Sequence, residues 1–367
     1  MKFFSIKLII LIKIFFISLP GFADNNLRNL PHLENFIKTL ENDQKGLQGG
    51  AIAILYKGNV IYKNTFGYCH ERETLITSKT LFPLASVSKT VAATAIALLD
   101  DRNEIDIEKN YLLSFLHHKV NLKNILNHTT GYLLTGNRQI EDGMERGQIL
   151  KKIIQQKPAC KPNNCYFYSN ILFSTAEEIL NINNTNLANA ISQLSSVLNL
   201  KELQVLPIKP DSNIAYPHIE KKNIIKALPF PPYYPKAAPA SAGVFASIDN
   251  MIELLKLQSG YRPDLISQET LNKLFTPYII NDDLKKFPLT WPIPLTEIDS
   301  YYGLGWRILK AKPYPNKDLI FHSGYINGIV SFVGFIPSEE TGIIILLNQT
   351  SKFAFQKGID FWKVFLK

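Results

Sequence analysis

One short stretch constrains this chain more than any other. Ala85-Ser86-Val87-Ser88-Lys89-Thr90 runs straight into the apolar segment Val91 to Leu99. A serine and a lysine therefore stand three residues apart at the mouth of a helix. At that spacing both side chains share one face, one turn apart. A serine hydroxyl is a weak nucleophile until a base takes its proton. A partly desolvated lysine can serve as that base. Free backbone N–H groups at a helix start also favour developing negative charge. Taken alone, the motif reads by default as Ser86 at a helix N-cap and Lys89 on the helix surface.

The pattern around this stretch predicts the architecture. Leu33, Phe36, Ile37 and Leu40 mark an amphipathic helix over Pro31 to Asp43. Ala51–Tyr56 and Val60–Phe66 flank Lys57-Gly58-Asn59 and read as a hairpin. Helix signals then dominate from Thr80 to about Leu274, at Ser86–Asp100, Asn121–Leu126, Glu145–Gln156, Asn170–Leu180, Asn186–Leu198 and Asp249–Gln258. Pro229 to Pro239, rich in proline and aromatics, reads as an extended surface loop. Strand patterns return at Tyr302–Leu309, Leu319–His322, Ile329–Ile336 and Gly342–Leu347, and Ser351–Leu366 reads as a closing helix. There is no internal repeat. The expected fold is α/β, of the α+β kind. Both chain ends build an antiparallel sheet flanked by the N- and C-terminal helices, beside a mostly helical lobe. The sheet lobe takes about 24–79 and 275–367, and the helical lobe about 80–274, within one catalytic domain.

Two further short motifs follow in order. Tyr168-Ser169-Asn170 reads as Tyr-x-Asn, and His322-Ser323-Gly324 ends the β-prone run Asp318 to Phe321. With the Ser-x-x-Lys element, the chain resembles the class C β-lactamase family, within the serine β-lactamases and penicillin-binding proteins. D-Ala-D-Ala peptidases and esterases belong to it too. Asn127-His128-Thr129-Thr130-Gly131 resembles the family's His-Thr-Ser-Gly turn. Ala242 to Ser247 resembles its small-residue loop before a helix, and Tyr302-Gly303-Leu304-Gly305-Trp306 and Val333 to Pro337 resemble its late strands. The likeness runs from about residue 50 to the C-terminus and implies a β-lactamase/transpeptidase-like fold with its site between the lobes.

Physics and resemblance together assign roles. Ser86 attacks a carbonyl, and Lys89 and Tyr168 share the proton transfers. Asn170 positions Lys89 and the substrate amide. Backbone N–H groups of Ser86 and Tyr325 form the oxyanion hole, with Tyr325 placed by Gly324. His322 and Ser323 complete the substrate-binding set. Each residue also has a plainer reading: Tyr168 as a core aromatic, His322 as a satisfied strand-end histidine. His322 departs from the lysine of many class C enzymes, and histidine is only partly charged near neutral pH. The resemblance therefore implies a serine hydrolase acting on β-lactams or D-alanyl peptides. The alternatives are an esterase on small acyl esters and a penicillin-binding sensor without turnover.

Composition narrows the setting. The first 23 residues pair a lysine-bearing start with an apolar run and end in Gly21-Phe22-Ala23, which reads as a cleaved signal peptide. Lys13 interrupts the run; the alternative is a retained membrane anchor. Removing those residues, with three lysines and no acid, takes the net charge from +9 to +6 and leaves 344 of 367 residues. The lysines are scattered, which argues against nucleic acid as a partner. The expected setting is periplasmic or secreted, as a monomer with peripheral envelope contact at most. Cys160 and Cys165 suit a short-loop disulfide in an oxidising compartment and two thiols otherwise, leaving Cys69 over. No cysteine and histidine cluster completes a metal site, His117, His118 and His128 read as surface and turn residues, and no cofactor is expected.

Overall fold

The computed structural model describes residues 30–70, 74–201, 203–205, 213–230 and 233–367. The leader, 1–23, lies outside these residues. The strands, in chain order, are β1 (Gly49–Tyr56), β2 (Asn59–Gly67), β3 (Phe82–Pro83), β4 (Gln204–Val205), β5 (His218–Lys221), β6 (Ile224–Ala227), β7 (Val244–Ala246), β8 (Ile279–Ile280), β9 (Ile298–Tyr302), β10 (Arg307–Ala311), β11 (Leu319–Ile326), β12 (Ile329–Ile336) and β13 (Thr341–Leu347). Eight of them form one antiparallel sheet in the order β2-β1-β13-β12-β11-β10-β9-β8. The N-terminal hairpin thus closes onto the last strand, with Gly50 opposite Leu347. The fold is the mixed architecture expected from the sequence.

Alternation along β1 explains the two faces. Ile52 and Ile54 join Leu33, Phe36, Ile37 and Leu40 of helix α1 (Pro31–Asp43) and Phe355, Ile359 and Trp362 of the C-terminal helix Phe353–Lys363 in one cluster. Ala51, Ala53 and Leu55 face the other way, into the cluster shared with the helical lobe. β13 contributes to both clusters and is buried throughout. Beyond Thr341, whose hydroxyl donates to the Leu55 carbonyl, it is an unbroken apolar run, as burial on both faces requires. Helix α2 (Ser88–Asp101) is the axis of the helical lobe, with twelve of its fourteen residues buried. A helix apolar on all sides belongs inside, and four alanines keep it thin enough to be surrounded.

Four stretches differ from the pattern reading. The segment 170–180 is two helices, Asn170–Phe173 and Ala176–Ile182. The Thr175 hydroxyl donates back to the Leu172 carbonyl at 2.6 Å, and the Ser174 carbonyl accepts from Arg146 beside a short-turn bond from the Glu177 N–H at 3.3 Å. The run 302–309 is the end of β9, a turn and β10, because Gly305 takes φ +75° and a side chain at Gly303 would meet the Leu274 carbonyl. The stretch 229–239 is not a fully extended loop: it contains helix Tyr233–Ala237, followed by helix Pro239–Ala242 with proline at its start. Ala242–Ser247 is likewise partly strand: β7 pairs with β3, and Ser247 caps helix Ile248–Gln258 by accepting from the Asn250 N–H.

Candidate active site

Ser86 sits in the short 3₁₀ turn Ala85–Val87 that leads into α2. It is half-buried, while the other residues from Leu81 to Thr90 are buried. Ala85 before it takes φ +47°, a conformation costly for an L-residue with a Cβ. The turn is braced from both lobes. The Leu84 N–H donates to Val244 of β7, and Ser331 of β12 donates to the Leu84 carbonyl at 2.6 Å. Gly324 of β11 lies against the same turn: a Cβ there would fall 2.5 Å from the Leu84 carbonyl and 3.0 Å from the Ser86 nitrogen. Only glycine admits that approach, which brings β11 beside the nucleophile. β10 pairs β11 over Leu319–Phe321. From His322 onward the strand therefore runs past its β10 register along the site.

Lys89 is fully buried. Its Nζ lies 2.6 Å from Asn170 Oδ1, 3.1 Å from the Ser241 carbonyl and 3.3 Å from Ser86 Oγ. Asn170 donates its own amide to Asn137 Oδ1 at 2.8 Å, which fixes Oδ1 toward the lysine. Burial, reinforced by Arg307, holds the Lys89 amine well below its ordinary range. An uncharged amine has two N–H donors and one lone pair. The two carbonyl oxygens accept only, so they take the N–H groups, and the lone pair is left facing Ser86. Tyr168 donates its hydroxyl to Ser86 Oγ at 3.0 Å. Burial raises its phenol above the usual value, opposed by Arg307 and the bond to Ser86, so it is a neutral donor at rest.

The segment carrying Tyr168 is held by the 127–131 turn. His128, at φ +61°, accepts the Ser169 N–H at Nδ1, while its carbonyl accepts from Phe167. Gly131 closes on Cys160, whose side chain is bonded to Cys165. The disulfide expected as one of two alternatives is thus present, and Cys69 is a buried thiol.

In the third motif, His322 is 1% exposed, as in its plainer reading as a satisfied strand-end histidine and not as a residue open to the cleft. Its Nδ1 meets the Ser323 carbonyl at 2.8 Å and its Nε2 the Tyr302 hydroxyl at 3.0 Å. The carbonyl takes the ring hydrogen and the tyrosine donates to Nε2, a set that suits neutral imidazole. Burial, reinforced by Arg307, holds it well below its usual range. Ser323 is half-buried, and Tyr325 is 61% exposed beside the site. Pattern reading missed Asn137, Ser241, Tyr302 and Arg307. Asn137 and Ser241 sit in no recognisable motif, while Tyr302 opens the Tyr302–Trp306 stretch that Arg307 directly follows, with no role read from either.

The chain has relatives among known proteins. The Beta-lactamase family model matches residues 31–363. A beta-lactamase from Escherichia coli (strain K12) is 26% identical over 340 residues, covering 84% of this chain and 85% of that protein. Among solved structures, EstCE1, a hydrolase with promiscuous acyltransferase activity, superposes with a TM-score of 0.73 at 16% identity, covering 92% of this chain and all of the other. A class C beta-lactamase mutant superposes at 0.69 and 18% identity, covering 91% and 96%. A family match across nine-tenths of the sequence, on a fold with Ser86, Lys89 and Tyr168 drawn to one point, makes this chain a member of the beta-lactamase family.

Proposed function

We propose that the protein is an exported active-site serine hydrolase that forms an acyl-enzyme on β-lactams or D-alanyl peptides. The carrying observation is the pair of contacts at Ser86 Oγ, to the Lys89 amine at 3.3 Å and the Tyr168 hydroxyl at 3.0 Å. As Oγ attacks the carbonyl carbon, its proton passes to the Lys89 lone pair. The carbonyl π electrons move onto oxygen, held by the backbone N–H groups of Ser86 and Tyr325. The Tyr168 hydroxyl protonates the leaving nitrogen as the C–N bond breaks, and Lys89 returns its proton to the phenolate by way of the site. Water then attacks the ester, and the reverse transfers release the acid and restore Ser86. The leader sequence and the Cys160–Cys165 bridge support export.

A second reading, an esterase on small acyl esters, draws support from His322. With that histidine buried and neutral, it offers no cation to a substrate carboxylate. Intact-mass spectrometry after brief penicillin exposure, beside nitrophenyl esters and D-Ala-D-Ala peptides, separates the readings. Rapid release of the penicilloyl adduct supports the lactamase, and a lasting adduct supports a binder without turnover. Ester cleavage with no adduct supports the esterase. No covalent species at Ser86 with any of the three would end the serine-hydrolase reading.

A further inference from the structure

Arg307 opens β10 directly behind Tyr168 and belongs to no motif that carries the acylation chemistry. It is buried, and its Nε and Nη1 have no hydrogen-bond partner among the described residues. Its guanidinium carbon lies 5.2 Å from the centre of the Tyr168 ring and 5.5 Å from that of Tyr302. The surrounding frame fixes it there. Arg307 pairs with Tyr302 of β9 and Phe321 of β11. The turn before it rests on α2, where a Cβ at Gly305 would fall 2.6 Å from the Lys89 carbonyl. Asp283 acts on Arg307 only through its field and is itself paired with Lys286 at 3.1 Å. A buried cation without a close counter-ion is costly to keep. Ring faces offset part of that cost.

We propose that Arg307 is a positioning residue for acylation: a fixed buried cation on the ring of Tyr168 that sets the charge of the Ser86–Lys89–Tyr168 unit. The inference rests on the serine-hydrolase reading above. The titratable groups around it are Lys89 on α2, His128 in the 127–131 turn, Tyr166 and Tyr168 in the following segment, Tyr302 on β9, His322 on β11 and the more distant Asp283. Its field acts in one direction on all of the site's bases. After burial, it is a cause of the depressed basicity of Lys89, His128 and His322. On Tyr168 it opposes the rise that burial produces. A cation over an aromatic ring also gains attraction as that ring becomes a phenolate, so it favours the moment at which Tyr168 gives up its proton. Arginine suits this place because it cannot lose its own proton there.

The test follows the rate of fluorophosphonate labelling at Ser86 from about pH 5 to about pH 10. Wild-type protein, Arg307→Gln and Arg307→Lys are compared, with folding checked by circular dichroism. Labelling needs the free Lys89 amine, so the rate falls as pH drops through the Lys89 pKa. Removing the cation raises that pKa, and the acid limb moves to higher pH by about one unit. Arg307→Gln is then roughly tenfold slower than wild type below the limb, yet recovers at high pH. Arg307→Lys, a weaker and more distant charge, gives a limb between the two and carries the test if the glutamine variant does not fold. A uniform fall at every pH with unmoved limbs in both variants overturns the inference. Absence of Ser86 labelling in the wild type instead overturns the serine-hydrolase reading.

Discussion

On the helical-lobe side of Ser86, the Lys89 amine is fully engaged: it meets Asn170 Oδ1, the Ser241 carbonyl and Ser86 Oγ, and Asn137 holds Asn170. On the sheet side, Arg307 presents buried Nε and Nη1 groups without partners among the described residues, and aromatic rings fill the space between it and His128 of the helical lobe. The first wall is a hydrogen-bond lattice that fixes where atoms sit. The second is a charge held in a low-dielectric setting, where fields act strongly because little screens them. Geometry and protonation state are thus supplied from opposite sides of the nucleophile, and substitutions on the two sides should fail differently.

The largest effect belongs to the nucleophile. Ser86→Ala is expected to abolish covalent labelling by penicillin or fluorophosphonate and cut turnover by at least about 10⁴-fold. The thermal midpoint should stay within a few degrees of wild type. Full-stoichiometry labelling of the variant by intact mass removes Ser86 from the mechanism.

Next come two changes on the lattice side. Gly324→Ala sets a methyl group against the Leu84 carbonyl and Ser331 Oγ, at 2.5 and 2.2 Å before relaxation. It pushes β11 from the Ser86 turn, with an expected loss of about 10²-fold in kcat and about 1–3 kcal/mol in stability. A kcat within twofold of wild type would show that the oxyanion donors lie elsewhere. Asn170→Asp keeps the shape but puts an anion where a carbonyl oxygen now stands 2.6 Å from Lys89. An anion favours the ammonium form, so the Lys89 pKa rises and the acid limb of kcat/KM moves to higher pH. At neutral pH the expected loss is roughly 10- to 100-fold, recovered as pH rises. A lattice-side residue would then reproduce what Arg307→Gln does from the sheet side. A pH-independent loss would instead mark Asn170 as a purely geometric support.

The two walls also differ in how far the sequence reveals them. Ser86 and Lys89 are legible because helical spacing alone puts them on one face, and α1 and β12 end where their apolar patterns end. Tyr168 and Asn170 are legible only as a motif, since the 127–131 turn and the disulfide that hold them act through backbone contacts between distant segments. Arg307 shows no local signal at all. Its importance arises when the Gly303–Gly305 turn lays β10 across α2, a contact between residues more than 200 positions apart. His322 misleads because strand alternation says which face a side chain takes, not whether Tyr302 covers it. The helix break at Ser174 hides for the same reason, because Arg146, 28 positions away, reaches the Ser174 carbonyl at the junction.

The smallest expected effect tests that burial. Neutral His322 cannot read a carboxylate by charge, so kcat/KM for carboxylated and neutral substrates should follow the same pH profile between about pH 5 and about pH 8. Its folded-state pKa lies well below the ordinary value, so protonation sets in only on the acid side of that range. His322→Gln keeps a side chain able to donate to the Ser323 carbonyl and accept from Tyr302. It should therefore retain activity within about fivefold, with both profiles unmoved, because the substitution changes hydrogen-bond geometry and not charge. A carboxylated substrate that loses kcat/KM selectively as pH rises through the histidine range, with the loss absent in His322→Gln, would show that the imidazole opens to the cleft and charges when substrate binds. The sheet wall would then read substrate charge directly, and its division of labour with the lattice around Lys89 would have to be redrawn.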